Sequence, residues 1–145
     1  MRNKAIARVG VKELDYVKDV LSAQFRSSSS AKYMRKLEKT FAERFQSDYA
    51  ISCVNGTATM HAALEAMDIG IGDEVIAPAM TFMATVSAIE YCGATPVLVD
   101  VEKDTYCIDP SLIEAAITEK TRAIIVVHLY GHSANMVAIR EIANK

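Results

Sequence analysis

Cysteine is scarce in this sequence and badly placed for cross-linking. Cys53, Cys92 and Cys107 are odd in number and scattered, and no Cys-x-x-Cys pair occurs. That spacing argues against a disulfide framework and a cysteine-built zinc site, leaving buried, reduced thiols in a cytosolic protein as the reading. Long apolar runs are also missing. Met1-Arg2-Asn3-Lys4 carries charge, but nothing behind it has the length of a secretory signal or a membrane anchor. No sign of charge dominates, since the net charge is only −2. The absence of a basic patch excludes nucleic acid as a partner, and the absence of a polybasic run excludes a lipid surface. Gly70-Ile71-Gly72 lacks a third glycine and precedes a strand, so it is no dinucleotide fingerprint. No internal repeat occurs, and Ser27–Ser30 is the only biased run.

What is present suffices for one core: 51% of the residues are hydrophobic and 23% charged. Residues 1–46 read as a helical amino-terminal arm. Val11 to Ala23 forms a first helix with Leu14, Val17 and Leu21 on one side. The polar stretch Phe25–Ser30 reads as a loop, with a serine available to cap the next helix. That helix spans about Ala31 to Phe45, with Met34, Leu37, Phe41 and Phe45 as its buried stripe. Residues 47–145 alternate strand and helix. Tyr49–Val54, Glu74–Ala77, Pro96–Val101 and Ala123–Leu129 read as strands. Thr57–Met67, Thr81–Tyr91, a segment opened by Asp109-Pro110, and Ala134–Ala143 read as the helices between and after them. Strands this apolar, separated by helices, imply an α/β fold with a mostly parallel sheet covered on both faces. The loops at Asn55–Thr59, Pro78–Phe82, Asp100–Asp104 and His128–His132 then converge at the carboxyl edge of the sheet, where such folds bind ligands.

The turn Asn55-Gly56-Thr57-Ala58-Thr59 is the first candidate site. A strand that turns through glycine into a helix presents unsatisfied amide hydrogens and a helix dipole to an anion, most simply a phosphate. The alternative is an ordinary capped helix. In the second candidate, Pro78–Phe82, the ring of Phe82 could lie against a flat heteroaromatic ligand or anchor the core with Val86. In the third, His128, Tyr130 and His132 could bind polar substrate groups or move protons, or simply be structural. They lack a third metal ligand by local spacing. His61, inside a helix, reads as structural. Asp100, Glu102, Asp104 and Asp109 read as a solvated loop with one helix cap in preference to a cation site.

Several segments fall in the order and spacing of a known family: Asn55-Gly56-Thr57-Ala58-Thr59-Met60-His61-Ala62-Ala63-Leu64, Gly72-Asp73-Glu74-Val75-Ile76-Ala77-Pro78, Thr81-Phe82, Asp104-Thr105-Tyr106, Ile108-Asp109-Pro110 and Val127-His128-Leu129-Tyr130-Gly131. The chain resembles the DegT/DnrJ/StrS sugar aminotransferases from about Val11 onward. The resemblance implies the amino-terminal portion of a fold-type-I large domain that binds pyridoxal 5'-phosphate. It implies that Gly56, Thr57 and Ala58 hold the cofactor phosphate and that Phe82 stacks on its pyridine ring. It places Ser28, Ser29, His128 and Tyr130 toward substrate, although Ala31 stands where the family usually has a glycine. The reaction implied is transfer of an amino group, often from glutamate, to a keto group on a nucleotide-linked sugar, in a cytoplasmic homodimer.

Family members also use a lysine that holds the cofactor covalently and an aspartate that pairs with its ring nitrogen. Neither matches here. Lys120 precedes its strand, Lys103 lacks the serine-rich context, and Lys145 is terminal. No catalytic residue and no metal ligand is assigned. The sequence reads as an amino-terminal fragment, inactive alone and marginally stable, because a parallel sheet stopped after about four strands leaves edge groups unpaired. A deoxysugar dehydratase of the same family and a non-catalytic phosphate-binding α/β module are the alternatives.

Overall fold

The computed structural model describes residues 9–23 and 27–145, and the side chains of residues 27–31 lie outside that description. The chain divides into two compact units, Met1–Ser52 and Cys53–Lys145.

In the first unit α1 spans Val11–Ser22 and α2 spans Ser27–Phe45. The Gly10 N–H donates to Glu13 Oε2 at 2.8 Å, so a first-turn carboxylate closes the amino end of α1. Lys32 Nζ and Tyr33 Oη donate to Asp19 Oδ2 at 2.7 and 2.6 Å and tie α2 to α1. The Lys32 contact, then the Tyr33 contact, hold the Asp19 carboxyl below its usual range. Glu38 Oε1 accepts from the Ser52 N–H at 2.9 Å and from its hydroxyl at 2.8 Å.

Two expectations for this unit fail. The stretch Ser27–Ser30 is not loop but the opening of α2. Serine costs a helix only roughly half a kcal/mol per residue against alanine, which a long amphipathic helix overrides. Phe25 and Arg26 lie outside the described residues. The stripe Met34, Leu37, Phe41 and Phe45 is exposed, as are Leu14, Val17 and Leu21. Helical periodicity marks the face to be covered; it does not supply the cover. The substrate role expected of Ser28 and Ser29 concerns side chains outside the described part.

The second unit is built on one strand. β1 (Glu74–Pro78) lies between β2 (Thr95–Val99) and β3 (Thr121–Ile124) in a parallel sheet of order β2-β1-β3. Successive side chains of a strand point to opposite faces, and β1 is apolar at every interior position. Val75 and Ala77 enter a cluster with Leu64, Ile69, Ala88, Ile89 and Ala94. Ile76 enters the other, with Val99, Cys107, Ile108, Ile113, Ala134 and Ile139. The helices α3 (Gly56–Ala66) and α4 (Ala84–Tyr91) therefore cover one face, and α5 (Pro110–Ala116) and α6 (Met136–Ala143) cover the other. The expected parallel sheet with helices on both faces is what forms. The register against β3 slips between Glu74 and Val75 and leaves Arg122 as the extra residue, whose Nε donates to Asp73 Oδ1 at 3.2 Å.

Several boundaries move. Tyr49–Val54, expected as a strand, forms none; Tyr49, Ile51 and Val54 are each at least 83% exposed. Its residues have strand propensity, but a strand exists only as one side of a ladder, and no other segment pairs with it among the described residues. The sheet consequently has three strands where four were expected. β3 starts earlier and ends sooner than the apolar run Ala123–Leu129, although the Ile125 N–H still donates to the Ile76 carbonyl at 2.8 Å. α4 begins at Ala84, so Thr81, Phe82 and Met83 precede it. The thiols also differ from one another: Cys107 is buried as expected, Cys92 is half-buried, and Cys53 is exposed.

The two-faced burial of β1 predicts a sharp contrast between two isoleucines. Ile76→Ala should lower unfolding stability by about 2–5 kcal/mol, the usual cost of such a core truncation. Ile51→Ala should fall within about 0.5 kcal/mol of the parent, as exposed substitutions do. Urea melts of both variants against the parent check this; equal losses would contradict the assignment of β1 as the core strand.

Candidate functional site

The Phe82 and His128–His132 candidates lie after strands and before helices, whereas the Asn55–Thr59 turn opens α3 with no strand ahead of it among the described residues. Asn55 sits in extended geometry and caps α3, its Oδ1 accepting from the Ala58 N–H at 2.9 Å. The Thr59 hydroxyl donates to the Asn55 carbonyl at 3.1 Å. Of the three amides expected to hold a phosphate, that of Ala58 is thus engaged by the cap. Those of Gly56 and Thr57 donate to no protein acceptor among the described residues. Asn55 is the capping residue of this turn that sequence reasoning left unassigned. Its signal was available, since asparagine before a helix is a preferred cap.

Gly56 is informative for what does not require it. Its φ lies outside the left-handed region, and a Cβ built on it meets nothing within 4 Å. Neither backbone conformation nor packing among the described residues demands glycine there. Open space over two free amides at a helix amino terminus is what a phosphate needs. A hollow of about 370 Å³ alongside is lined by Asn55, Thr57, Ala58, His61 and Tyr91.

Phe82 follows the carboxyl end of β1. The Ala79 N–H donates to the Val99 carbonyl at 2.8 Å, joining the ends of β1 and β2. Thr81 and Thr85 pair through their hydroxyls at 2.8 Å, and the Thr85 N–H donates to the Phe82 carbonyl at 3.0 Å. This short loop is therefore fixed at both ends, and the Phe82 ring stands 81% exposed at its tip. The core-anchor alternative for Phe82 is ruled out. Phe82 is not among the residues lining the hollow beside Thr57.

Beyond β3, the His128 Nδ1 accepts from the Ala134 N–H at 3.1 Å, so a neutral ring carries its proton on Nε2. Tyr130 adopts φ 52°, ψ 22°, an uncommon region for a non-glycine residue, with Gly131 at φ 83° behind it. Its ring is 84% exposed. The Cys107 thiol donates to the His132 carbonyl at 3.6 Å, bringing this loop beside the one after β2. There the acids serve local structure. Asp100 accepts from the Val101 N–H, Glu102 from the Thr105 hydroxyl, and Asp109 from the Ser111 N–H as the α5 cap. No side-chain hydrogen bond links the Asn55–Thr59 turn to Phe82, His128 or Tyr130 among the described residues. A larger hollow of about 510 Å³ lies away from these loops, along the open edge of β3 and α6, with Ile124, Val126, Ile139 and Ile142 in its wall.

The profile of the DegT/DnrJ/EryC1/StrS aminotransferase family matches residues 8–145. The chain belongs to that family. Over 141 residues it is 43% identical to GDP-perosamine synthase of Caulobacter vibrioides, covering 97% of this chain and 38% of that protein. The aminotransferase from Psychrobacter cryohalolentis superposes with a TM-score of 0.87 at 40% identity, over 95% of this chain and 35% of that one. NtdA from Bacillus subtilis, solved with bound cofactor PMP, superposes with a TM-score of 0.78 at 35% identity, over 99% of this chain and 36% of that one. The chain spans little more than a third of the length of these relatives. Its fold is that of the corresponding part of these fold-type-I aminotransferases. Among the described residues no helix is long and apolar enough to cross a membrane.

The Asn55 cap yields a test of the turn's own architecture. Asn55→Ala should cost about 1 kcal/mol of stability, while Asn55→Asp should keep most of it, because the carboxylate can accept the same amide. Urea unfolding of the two variants distinguishes them; equal losses would show that the Asn55–Ala58 hydrogen bond does not hold the turn.

Proposed function

We propose that the chain supplies the phosphate grip of a pyridoxal 5'-phosphate-dependent enzyme that transfers an amino group to a keto sugar carried on a nucleotide. The observation carrying this reading is Gly56: nothing among the described residues fills the space over it. The family's aminotransferase chemistry, and relatives named GDP-perosamine synthase, support the substrate class. Pyridoxal phosphate, when bound, supplies an electron sink for moving an amino group. This chain's residues bind and orient. Gly56 and Thr57 offer their N–H groups, with the α3 dipole behind them, to the phosphate dianion, and the Thr57 hydroxyl is a further donor. Asn55 keeps those amides splayed by holding the Ala58 N–H. Phe82 presents an exposed ring on a loop held by the Thr81–Thr85 pair, suited to lying over a planar heterocycle.

His128 and Tyr130 are the residues of this chain proposed to face sugar hydroxyls or phosphates. A neutral His128 would offer an Nε2 proton, and the Tyr130 ring is exposed. Ser28 and Ser29 of the first unit are proposed by themselves as further substrate-facing residues. An amino donor such as glutamate, a cytoplasmic setting and a homodimer belong to the same reading. Neither Lys120 nor Lys145 is assigned the covalent role. Lys120 lies at the amino end of the sheet, its carbonyl accepting from the Glu74 N–H, and Lys145 pairs with Glu114.

Titration of the protein with pyridoxal 5'-phosphate and with pyridoxal, followed by fluorescence, tests the phosphate grip. The phosphorylated compound should bind at least about tenfold more tightly, the equivalent of 1.4 kcal/mol. Inorganic phosphate should compete with it. Gly56→Val should abolish the preference while leaving the urea midpoint unchanged. Equal affinities for the two compounds, or a preference that survives Gly56→Val, would overturn the assignment.

A further inference from the structure

A second constellation lies one turn further along α3 and shares His61 with the hollow beside the phosphate turn. His61 and Glu65 are four residues apart and share one face of the helix. Cys92 caps the carboxyl end of α4. Leu64, Ala88 and Ile89 are buried in one cluster, which fixes the separation of the two helices at this level. The result is that one nitrogen, one oxygen and one sulfur ligand atom lie within 4.8 Å of one another. We propose that His61, Glu65 and Cys92 bind a thiophilic divalent cation of the zinc class, which clips α3 to α4.

The donor set selects the ion. Imidazole, thiolate and carboxylate together suit zinc and its analogues cobalt and cadmium. Calcium and magnesium need several hard oxygen ligands, and only one is present. Around tetrahedral zinc, bonds of about 2.0 to 2.3 Å set ligand atoms roughly 3.3 to 3.8 Å apart. The His61 Nε2 and Glu65 Oε1 are already 3.3 Å apart. Small side-chain rotations close the rest, because the Glu65 side chain is 60% exposed and free to adjust. Three protein ligands leave a fourth position, and the partial exposure of His61 opens it to water.

The surroundings fit a metal ligand set. The His61 ring is steadied by Tyr91, with ring centroids 5.7 Å apart. The Glu65 Oε1 lies 3.3 Å from the His61 Nε2, and the carboxylate also faces the Cys92 thiol, whose titration is pushed up first by burial and then by that carboxylate. A dication at their centre displaces one proton: the Cys92 proton leaves to solvent, and the thiolate, the unprotonated Nε2 of a neutral His61 and the Glu65 carboxylate bind the metal. The cysteine spacing concealed the site, since the ligands come from two helices and only one of them is a cysteine.

Cobalt(II) added to the untagged protein tests this. Wild type should show a near-ultraviolet thiolate-to-cobalt charge-transfer band with visible bands of a four-coordinate ion, saturating at one equivalent and displaced by zinc. Cys92→Ser should abolish the charge-transfer band, and Cys53→Ser, which removes the exposed thiol, should leave it intact. Glu65→Gln changes an exposed side chain and keeps the test informative should Cys92→Ser fold poorly. It should weaken cobalt affinity at least about tenfold, since even partners behind a ligand matter at that level. Absence of the band in wild type, its survival in Cys92→Ser, its loss in Cys53→Ser, or unchanged affinity in Glu65→Gln would each overturn the proposal.

Discussion

The second unit depends on one strand being unwelcome in water on both sides. Val75, Ile76 and Ala77 are all fully buried, and their alternation commits them to opposite faces. A strand of that kind must recruit helices above and below it, and it must be flanked by parallel neighbours to satisfy its amides. The candidate site residues of this unit are placed by this constraint. The loops after β1 and β2 emerge side by side because their strands pair in register. α3 presents its amino terminus as a free edge because its last turn is anchored through Leu64, which shares a buried cluster with Val75 and Ala88.

Much of this was legible in the residues. Asp109-Pro110 announced both the start and the cap of α5, since an acceptor side chain followed by proline permits little else. The strand at Glu74 was bounded by Gly72, which adopts a positive φ, and by Pro78. What the residues did not disclose was dependence on distant partners. Tyr49–Val54 has the composition of a strand and no ladder to join. The stripes of α1 and α2 have helical spacing and no cover. Local pattern reports what a segment would bury, and burial itself is a property of the neighbours.

The candidate site was legible to a similar degree. The turn at Gly56 was visible because glycine between a run of apolar residues and a helix is a strong punctuation. The role of Phe82 was ambiguous, as helical spacing with Val86 allowed a core position. The late start of α4 removes that ambiguity by leaving the ring outside the helix and exposed. The left-handed backbone of Tyr130 and the hydrogen bond fixing His128 are tertiary facts that residue types alone do not carry. The proximity of Cys92 to His61 and Glu65 belongs to the same class.

The central claim is that the first amides of α3 exist to hold a phosphate. The most direct measurement is the amide nuclear magnetic resonance spectrum of the protein during titration with pyridoxal 5'-phosphate. The Gly56 and Thr57 N–H resonances should move downfield and saturate together, as amides do when they donate to an anion. Movement confined to other loops, with Gly56 and Thr57 unchanged at saturation, would contradict the account.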